Sequence, residues 1–395
     1  MYTTSSQSTN DTGLNRRNFL QTGAAVLLAG SFNGGITPML TEPGVELRNQ
    51  QSGMAYRQLG RTGLMVSEVV CGGDPIRTTN YQHLSLALEM GLNYLDMAPS
   101  YSNGDTELAF GKFLAGSSAR REKVFLTTKI SSFNGYVWQK YREIYNGLPQ
   151  EKKDAIQKRS LELRAERGVE KPGYHLTYFP GMQNGYGVSY LRVAMLKDYR
   201  HQVEGTAEFR KVITDSLEAS LKRVGTDYFD IVMCPHGAIA PEDLDYPEIF
   251  ETFQHLKKQG KVRFLGVTSH SDPAGVLRAA SAKGYYDVAM VAYNVINGGY
   301  LEQPIREAAT SGMGLISMKA AHAVATHHKS LQPIPDWRIQ KIDRIIPGDM
   351  KAPMKAYLWV LQNPHISAVV SNLWDETQVR ENLSLAGKKV ELQPA

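Results

Sequence analysis

Short apolar runs alternate with amphipathic helical stretches from residue 54 almost to the C-terminus. This alternation constrains the fold more than any other feature. The runs at 65–71, 94–97, 124–128, 228–234, 262–267, 287–293, 314–318 and 366–370 have the length and bounding turn residues of buried strands. Between and after them lie helical patterns at 81–90, 105–114, 209–224, 246–259, 272–284, 300–311, 351–362 and 376–386. In the third of these, Phe209, Val212, Ile213, Leu217, Leu221 and Val224 recur on one helical face. Gly260 offers a left-handed C-cap, and Asp272-Pro273 is an N-cap followed by a first-turn proline. Strands that alternate with helices lie parallel and connect by right-handed crossovers. Eight such units over roughly 330 residues predict an α/β fold, a closed (β/α)8 TIM barrel over 54–390 with a large insertion after strand three. An open doubly wound sheet would carry a glycine-rich turn after its first strand, but Cys71-Gly72-Gly73-Asp74 lacks the G-x-G-x-x-G spacing.

The insertion, 131–205, is aromatic-rich: Tyr136, Trp138, Tyr141, Tyr145, Tyr174, Tyr178, Phe179, Tyr186, Tyr190 and Tyr199 all fall within it. Its stretch 149–167 is charged and reads as helical. It begins on the strand-exit side, the working face of a barrel. A lid over a substrate pocket and an arm for homo-oligomerisation would both bury such rings, and a disordered segment is the third reading.

Residues 1–35 read as targeting rather than fold. Asn15-Arg16-Arg17-Asn18-Phe19-Leu20 precedes a weakly apolar run at 23–30 that is too short to span a bilayer. The pattern resembles a twin-arginine export signal, with the export machinery as partner and a periplasmic destination. Ala29-Gly30-Ser31 is an acceptable but not clean cleavage site, so an uncleaved membrane anchor stays open. Residues 36–53, rich in Pro, Gly and polar side chains, read as a linker. A net charge of +5 without a basic run argues against nucleic acid as a partner. Two cysteines, Cys71 and Cys234, exclude a disulfide framework or a four-thiolate cluster, and both sit in strand-like runs as small buried residues.

Asp96, Tyr101 and Lys129 place a carboxylate, a phenol and an ammonium at the exits of neighbouring strands, so the three can converge. Around them, in order, stand Tyr56-Arg57-Gln58-Leu59-Gly60-Arg61-Thr62-Gly63-Leu64, Val66-Ser67, Asp96-Met97-Ala98-Pro99-Ser100-Tyr101, Gly104, Glu107 and Lys129 after two threonines. Residues 216–230 (SLEASLKRVGTDYFD), Gly260-Lys261-Val262-Arg263 and Glu381-Asn382-Leu383 follow. From Tyr56 to Leu385 this pattern resembles the aldo/keto reductase superfamily; the insertion and the N-terminal segment lie outside the common pattern.

The resemblance implies hydride transfer between NADP or NAD and a carbonyl or alcohol substrate, sugar-derived compounds among the candidates, without a metal. Reduction leaves negative charge on the carbonyl oxygen, which must be protonated. Tyr101 would be the acid/base, Lys129 would lower its pKa, and Asp96 would anchor Lys129. The family's fourth catalytic residue is a histidine after strand four. Here Pro235 takes its place and His236 follows one residue later, with Pro235 expected to mark a bulge that restores the aim. Cofactor contacts are implied at Gly73, Thr268, Ser269, Met318, Lys319, Gln378, Glu381 and Asn382. The family's glutamine on strand six is Met290 here, and its stacking aromatic on strand seven is Met318. Asp375 and Glu376 would repel a 2′-phosphate, which leaves NAD open beside NADP. His270 follows a strand end, and His322, His327 and His328 lie in a loop; no histidine–carboxylate spacing suggests a metal. Two other functions compete with the oxidoreductase: a cofactor-binding module that senses or assembles, and a redox-neutral sugar-modifying enzyme that keeps its cofactor bound.

Overall fold

In the computed structural model, which describes residues 44–394 apart from 118, 204, 206 and 328–332, eight parallel strands close into a barrel. Three short strands come first. They are β1 (Glu46–Leu47), β2 (Tyr56–Gln58) and β3 (Leu64–Ser67), paired in the order β1-β3-β2. The barrel strands are β4 (Val69–Gly72), β5 (Tyr94–Asp96), β6 (Phe125–Lys129), β7 (Phe229–Met233), β8 (Val262–Ser269), β9 (Val288–Ala292), β10 (Gly314–Met318) and β11 (Ala368–Asn372). Their spatial order follows the chain, and β11 closes the ring onto β4 with Val369 opposite Val69. The expected (β/α)8 architecture is the observed one.

Period-two alternation sorts the core into two shells. Val70, Tyr94, Phe125, Ile231, Met233, Val288, Met290, Ile316, Met318 and Ala368 share the inner cluster with Leu59, Leu64 and Val66 of the first hairpin. Their neighbours Cys71, Leu95, Leu126, Val232 and Ala289 belong to the outer cluster, between strands and helices. The helices present one apolar face to that shell. Ile249, Phe253 and Leu256 are the buried face of the helix Pro247–Lys258, and the Asp272 side chain accepts from Gly275 N (3.0 Å) to start the helix Pro273–Lys283.

Three expectations need correction. The run 65–71 is not one strand, because it divides at Glu68 into β3 and β4. The Glu68 carboxylate takes Arg57 Nε and Gly387 N, each at 2.6 Å, and its carbonyl accepts from Val369 N, so the chain leaves an antiparallel hairpin and enters the parallel barrel there. An apolar run reports burial, not pairing partner. The linker 36–53 is also too long as read. Arg48 donates to the Val124 carbonyl (2.6 Å), Asn49 donates to the Leu88 and Leu92 carbonyls, and β1 pairs with β3, so residues 46–49 belong to the fold. Finally, the loop after β10 contains a helix, Asp336–Ile345, that the pattern did not show; only Ile342 and Ile345 bury, too few to mark a face. The export-like segment 1–35 lies outside the described residues. Among the described residues no helix is long and apolar enough to cross a membrane.

The insertion folds as three helices, Phe133–Gly147, Gln150–Arg167 and Asn184–Tyr199, followed by a single turn. The second is the helix expected from the charged stretch, ended by Gly168 in the left-handed region (φ 58°).

Candidate active site

The same alternation builds the site. Two residues beyond inward-facing Tyr94 comes Asp96, and four beyond inward-facing Phe125 comes Lys129. Both end up buried at the barrel's exit, where Lys129 Nζ donates to Asp96 Oδ1 (2.5 Å) and to the Met97 carbonyl (2.9 Å). Tyr101 opens a single 3-10 turn, Tyr101–Gly104, and its ring centroid lies 4.7 Å from Lys129 Nζ. Ser102 (φ 46°) and Asn103 (φ 54°) occupy the left-handed region beside it, a conformation uncommon outside turns and functional loops.

His236 joins them. Its ring meets Tyr101 edge-on at 6.1 Å, and its Nδ1 lies 2.7 Å from Ser131 Oγ. The Cys234–Pro235 bond is cis. The loop beyond is tied to β8: Gly237 N donates to Thr268 Oγ1 (2.7 Å), and Ala238 N donates to the Thr268 carbonyl (2.8 Å).

Electrostatics revise one expectation. Burial pushes the Asp96 carboxyl up and the Lys129 ammonium down, and each is held back by the other's charge. Lys129 does not bring Tyr101 below its ordinary value. Burial raises the phenol well above its ordinary value, and the charges of Asp96 and Asp74 add to that. Lys129 spends hydrogen bonds on Asp96 and Met97 and meets the face of the ring, so burial wins. Burial, then Lys129 and Lys319, depress His236 to about 3, leaving a neutral imidazole at ordinary pH.

A groove of about 350 Å³ runs from this centre across the exits of β4, β10 and β11. Of the expected cofactor residues, Gly73, Met318, Lys319, Gln378, Glu381 and Asn382 line it. Gly73 must be a glycine, because a Cβ there would lie 2.3 Å from the Asp96 carbonyl oxygen. Thr268 and Ser269 do not line it. Both are fully buried, with Thr268 Oγ1 accepting from Gly237 N and Ser269 Oγ donating to the Ala238 carbonyl (2.8 Å), so they hold the His236 loop. The groove also takes in Asp74, His270, His322, Lys351 and Tyr357, which the motif pattern did not single out as contacts. Lys351 could have been found as the cation one helix start away from Glu381, to which it pairs at 2.6 Å. The lining combines apolar Met290 and Met318, the ammonium groups of Lys319 and Lys351, the amides of Gln378 and Asn382 and the Trp374 indole, a set that suits a ring–diphosphate–ring ligand. Among the described residues no cluster of His, Cys, Asp or Glu could hold a metal ion.

The insertion crosses the exits of β8 and β9. Tyr174 OH donates to the buried Asp272 carboxylate and accepts from Ala274 N. Tyr186 OH donates to the Ser271 carbonyl (2.8 Å), and Asn294 Nδ2 donates to Tyr178 OH (2.9 Å). These bonds set Phe179 edge-on to His270 at 5.5 Å and with its ring 5.7 Å from Lys319 Nζ.

Comparison with known proteins agrees with this geometry. The model of the aldo/keto reductase family matches residues 73–172 and 195–325, more than half of the chain. The chain belongs to the aldo/keto reductase family. The gap in the match falls within the insertion. Similar proteins include the aldo-keto reductase AMT2 of Alternaria alternata, 25% identical over 277 residues, 66% of this chain. The chain spans only 63% of that relative's length. An uncharacterized oxidoreductase of Bacillus subtilis, YrpG, is 23% identical over 84% of this chain and 90% of its own. Among solved structures, the aldo-keto reductase AKR11C1 of Bacillus halodurans superposes with a TM-score of 0.56 over 86% of this chain and 93% of its own; at 18% identity this is a likeness of fold.

Proposed function

We propose that this family member is a nicotinamide-dependent oxidoreductase that interconverts a carbonyl and an alcohol. One observation carries the reading: a phenol, a neutral imidazole and a buried ammonium–carboxylate pair converge at the inner end of a long mixed groove. Bound nicotinamide would supply the hydride. The chain's own residues do the rest. Tyr101, protonated because its pKa is high, donates to the alkoxide-like oxygen, a much stronger base. Lys129, kept charged by Asp96, stabilises the negative charge left on the phenol in a site of low dielectric. His236, neutral and fixed through Nδ1 by Ser131, is placed to orient the carbonyl oxygen. Gly73, Met318, Gln378, Glu381 and Asn382 would hold the nucleotide, and the insertion serves as a lid over β8 and β9. The Lys351–Glu381 pair at the outer end leaves NAD and NADP both in view.

Mass spectrometry of the nucleotide that accompanies the purified protein tests this reading, combined with turnover of a carbonyl panel by wild type and Tyr101→Phe. A protein that neither carries nor takes up either nucleotide would end it. So would a Tyr101→Phe variant with undiminished rates. Product formed without net oxidation of bound nucleotide would point to the redox-neutral alternative. We also propose that the N-terminal segment directs twin-arginine export to the periplasm.

A further inference from the structure

Lys319 is a second, partly buried ammonium at the site, and the reaction as derived does not use it. It follows β10 directly, with its backbone in the left-handed region (φ 64°), the only residue on a barrel strand exit so placed among the described non-glycine residues. A long side chain held in that conformation is costly, and such residues gather where a ligand is bound. Its ammonium lines the groove and lies against the Phe179 ring of the insertion. Among the described residues it has no carboxylate within ion-pairing distance. Asp96 is committed to Lys129. Asp74, half-exposed, lies 3.9 Å from His327 and acts on Lys319 only at longer range. The other groups that face it are Lys129, which repels it, and the neutral imidazoles of His236 and His270. Two ammoniums share one small centre, and among the described residues Lys319 has no carboxylate paired with it.

We propose that Lys319 is a specificity-determining residue that binds a carboxylate carried by the substrate close to its reacting carbonyl, so that the enzyme prefers carbonyl acids to their neutral counterparts. The inference rests on the oxidoreductase reading and names the substrate class for the same site. Phe179 and His270 form the wall beside the ammonium, and Phe179 shields the pair from water, which strengthens a charge-assisted hydrogen bond. Tyr101 and His236 stand on the other side, where the carbonyl oxygen must lie to be protonated.

The test compares pyruvate with methyl pyruvate, and succinic semialdehyde with its methyl ester, for wild type, Lys319→Met and Lys319→Arg. Each variant's nucleotide affinity is measured separately by fluorescence titration. The wild type is expected to favour each acid over its ester by about tenfold or more in kcat/KM. Lys319→Met should collapse that ratio by a similar factor, chiefly through KM for the acid, and Lys319→Arg should keep most of it. Equal treatment of acid and ester by the wild type would overturn the proposal. A Lys319→Met variant that loses acid and ester alike, with weakened nucleotide binding, would overturn it too and reassign Lys319 to the cofactor. If no compound of either charge is reduced, the oxidoreductase reading falls, and calorimetry with pyruvate and methyl pyruvate then decides the subsite. Lys319-dependent binding of the acid alone sustains it, and binding of neither ends it.

Discussion

Lys129 and Tyr101 do different kinds of work, and their substitutions should separate. Lys129 and Asp96 are both buried, and each is the other's counter-ion. Lys129→Met would strand a buried carboxylate, so we expect about 3–5 kcal/mol of lost stability in urea unfolding as well as lost turnover. Tyr101→Phe removes only a proton donor, and turnover should fall by about 10² to 10⁴-fold while the urea midpoint stays near that of wild type. The histidines set the acid limit. His236 is depressed to about 3 in the folded state against 6.5 in an unfolded chain, and His270 is depressed as well. Between those values the unfolded chain binds more protons. The contribution is therefore complete above 6.5 and is lost as pH falls toward 3. Thermal melts from pH 7 to pH 4 should show this decline, and a His236→Gln, His270→Gln double variant should flatten it. For the same reason, a pH–rate profile should show no inflection near 6.5 from His236.

At the scale of elements, the ring is fastened from below and capped from above. Below, the Asp230 carboxylate of β7 accepts from Arg263 (2.7 Å), Arg121 (3.1 Å) and Leu126 N (2.9 Å), and Arg48 pairs with it at 3.2 Å. It thus joins β6, β7, β8 and the segment before the first hairpin. Asp230→Ala should cost about 3–5 kcal/mol by leaving several guanidinium groups uncompensated, measured by the shift of the urea midpoint. Above, Tyr174→Phe should cost about 1–3 kcal/mol, because the Asp272 carboxylate and Ala274 N would lose their shared partner. Hydrogen exchange across 172–183 should rise in that variant while the barrel strands keep their protection. The barrel was legible because alternation of strand and helix is a local signal, and so was the placing of Asp96 and Lys129, which follows from period two. The tie between Tyr174 and Asp272 was not, since it joins residues far apart in the chain that carry no common spacing. The tie of Thr268 and Ser269 to the His236 loop was hidden for a related reason. Their position suggested a ligand, but their hydroxyls are engaged by Gly237 N and the Ala238 carbonyl, which only the folded loop reveals. The high pKa of Tyr101 depends on depth of burial, which a spacing argument from Lys129 does not contain.

For the whole molecule, a closed ring joins the export proposal to the cofactor proposal. A barrel whose strands are all paired exposes no strand edge within the ring, so it can be handled as a finished body. Twin-arginine export carries proteins in the folded state, and free nicotinamide nucleotide is scarce outside the cytoplasm. If the N-terminal segment is such a signal, a nucleotide used in the proposed reaction must be taken up before export and retained. The groove offers such a nucleotide a mixed lining, with apolar Met290 and Met318, the Lys351 ammonium and the amides of Gln378 and Asn382. We therefore expect the protein recovered from the periplasm to carry close to one nucleotide per chain. Replacing Arg16 and Arg17 by lysine should hold the protein in the cytoplasm with the same nucleotide content. Fractionation followed by mass spectrometry reads both quantities at once. A periplasmic fraction that is folded but empty would separate the two proposals, leaving the signal in place and removing the requirement that the cofactor travel inside the barrel.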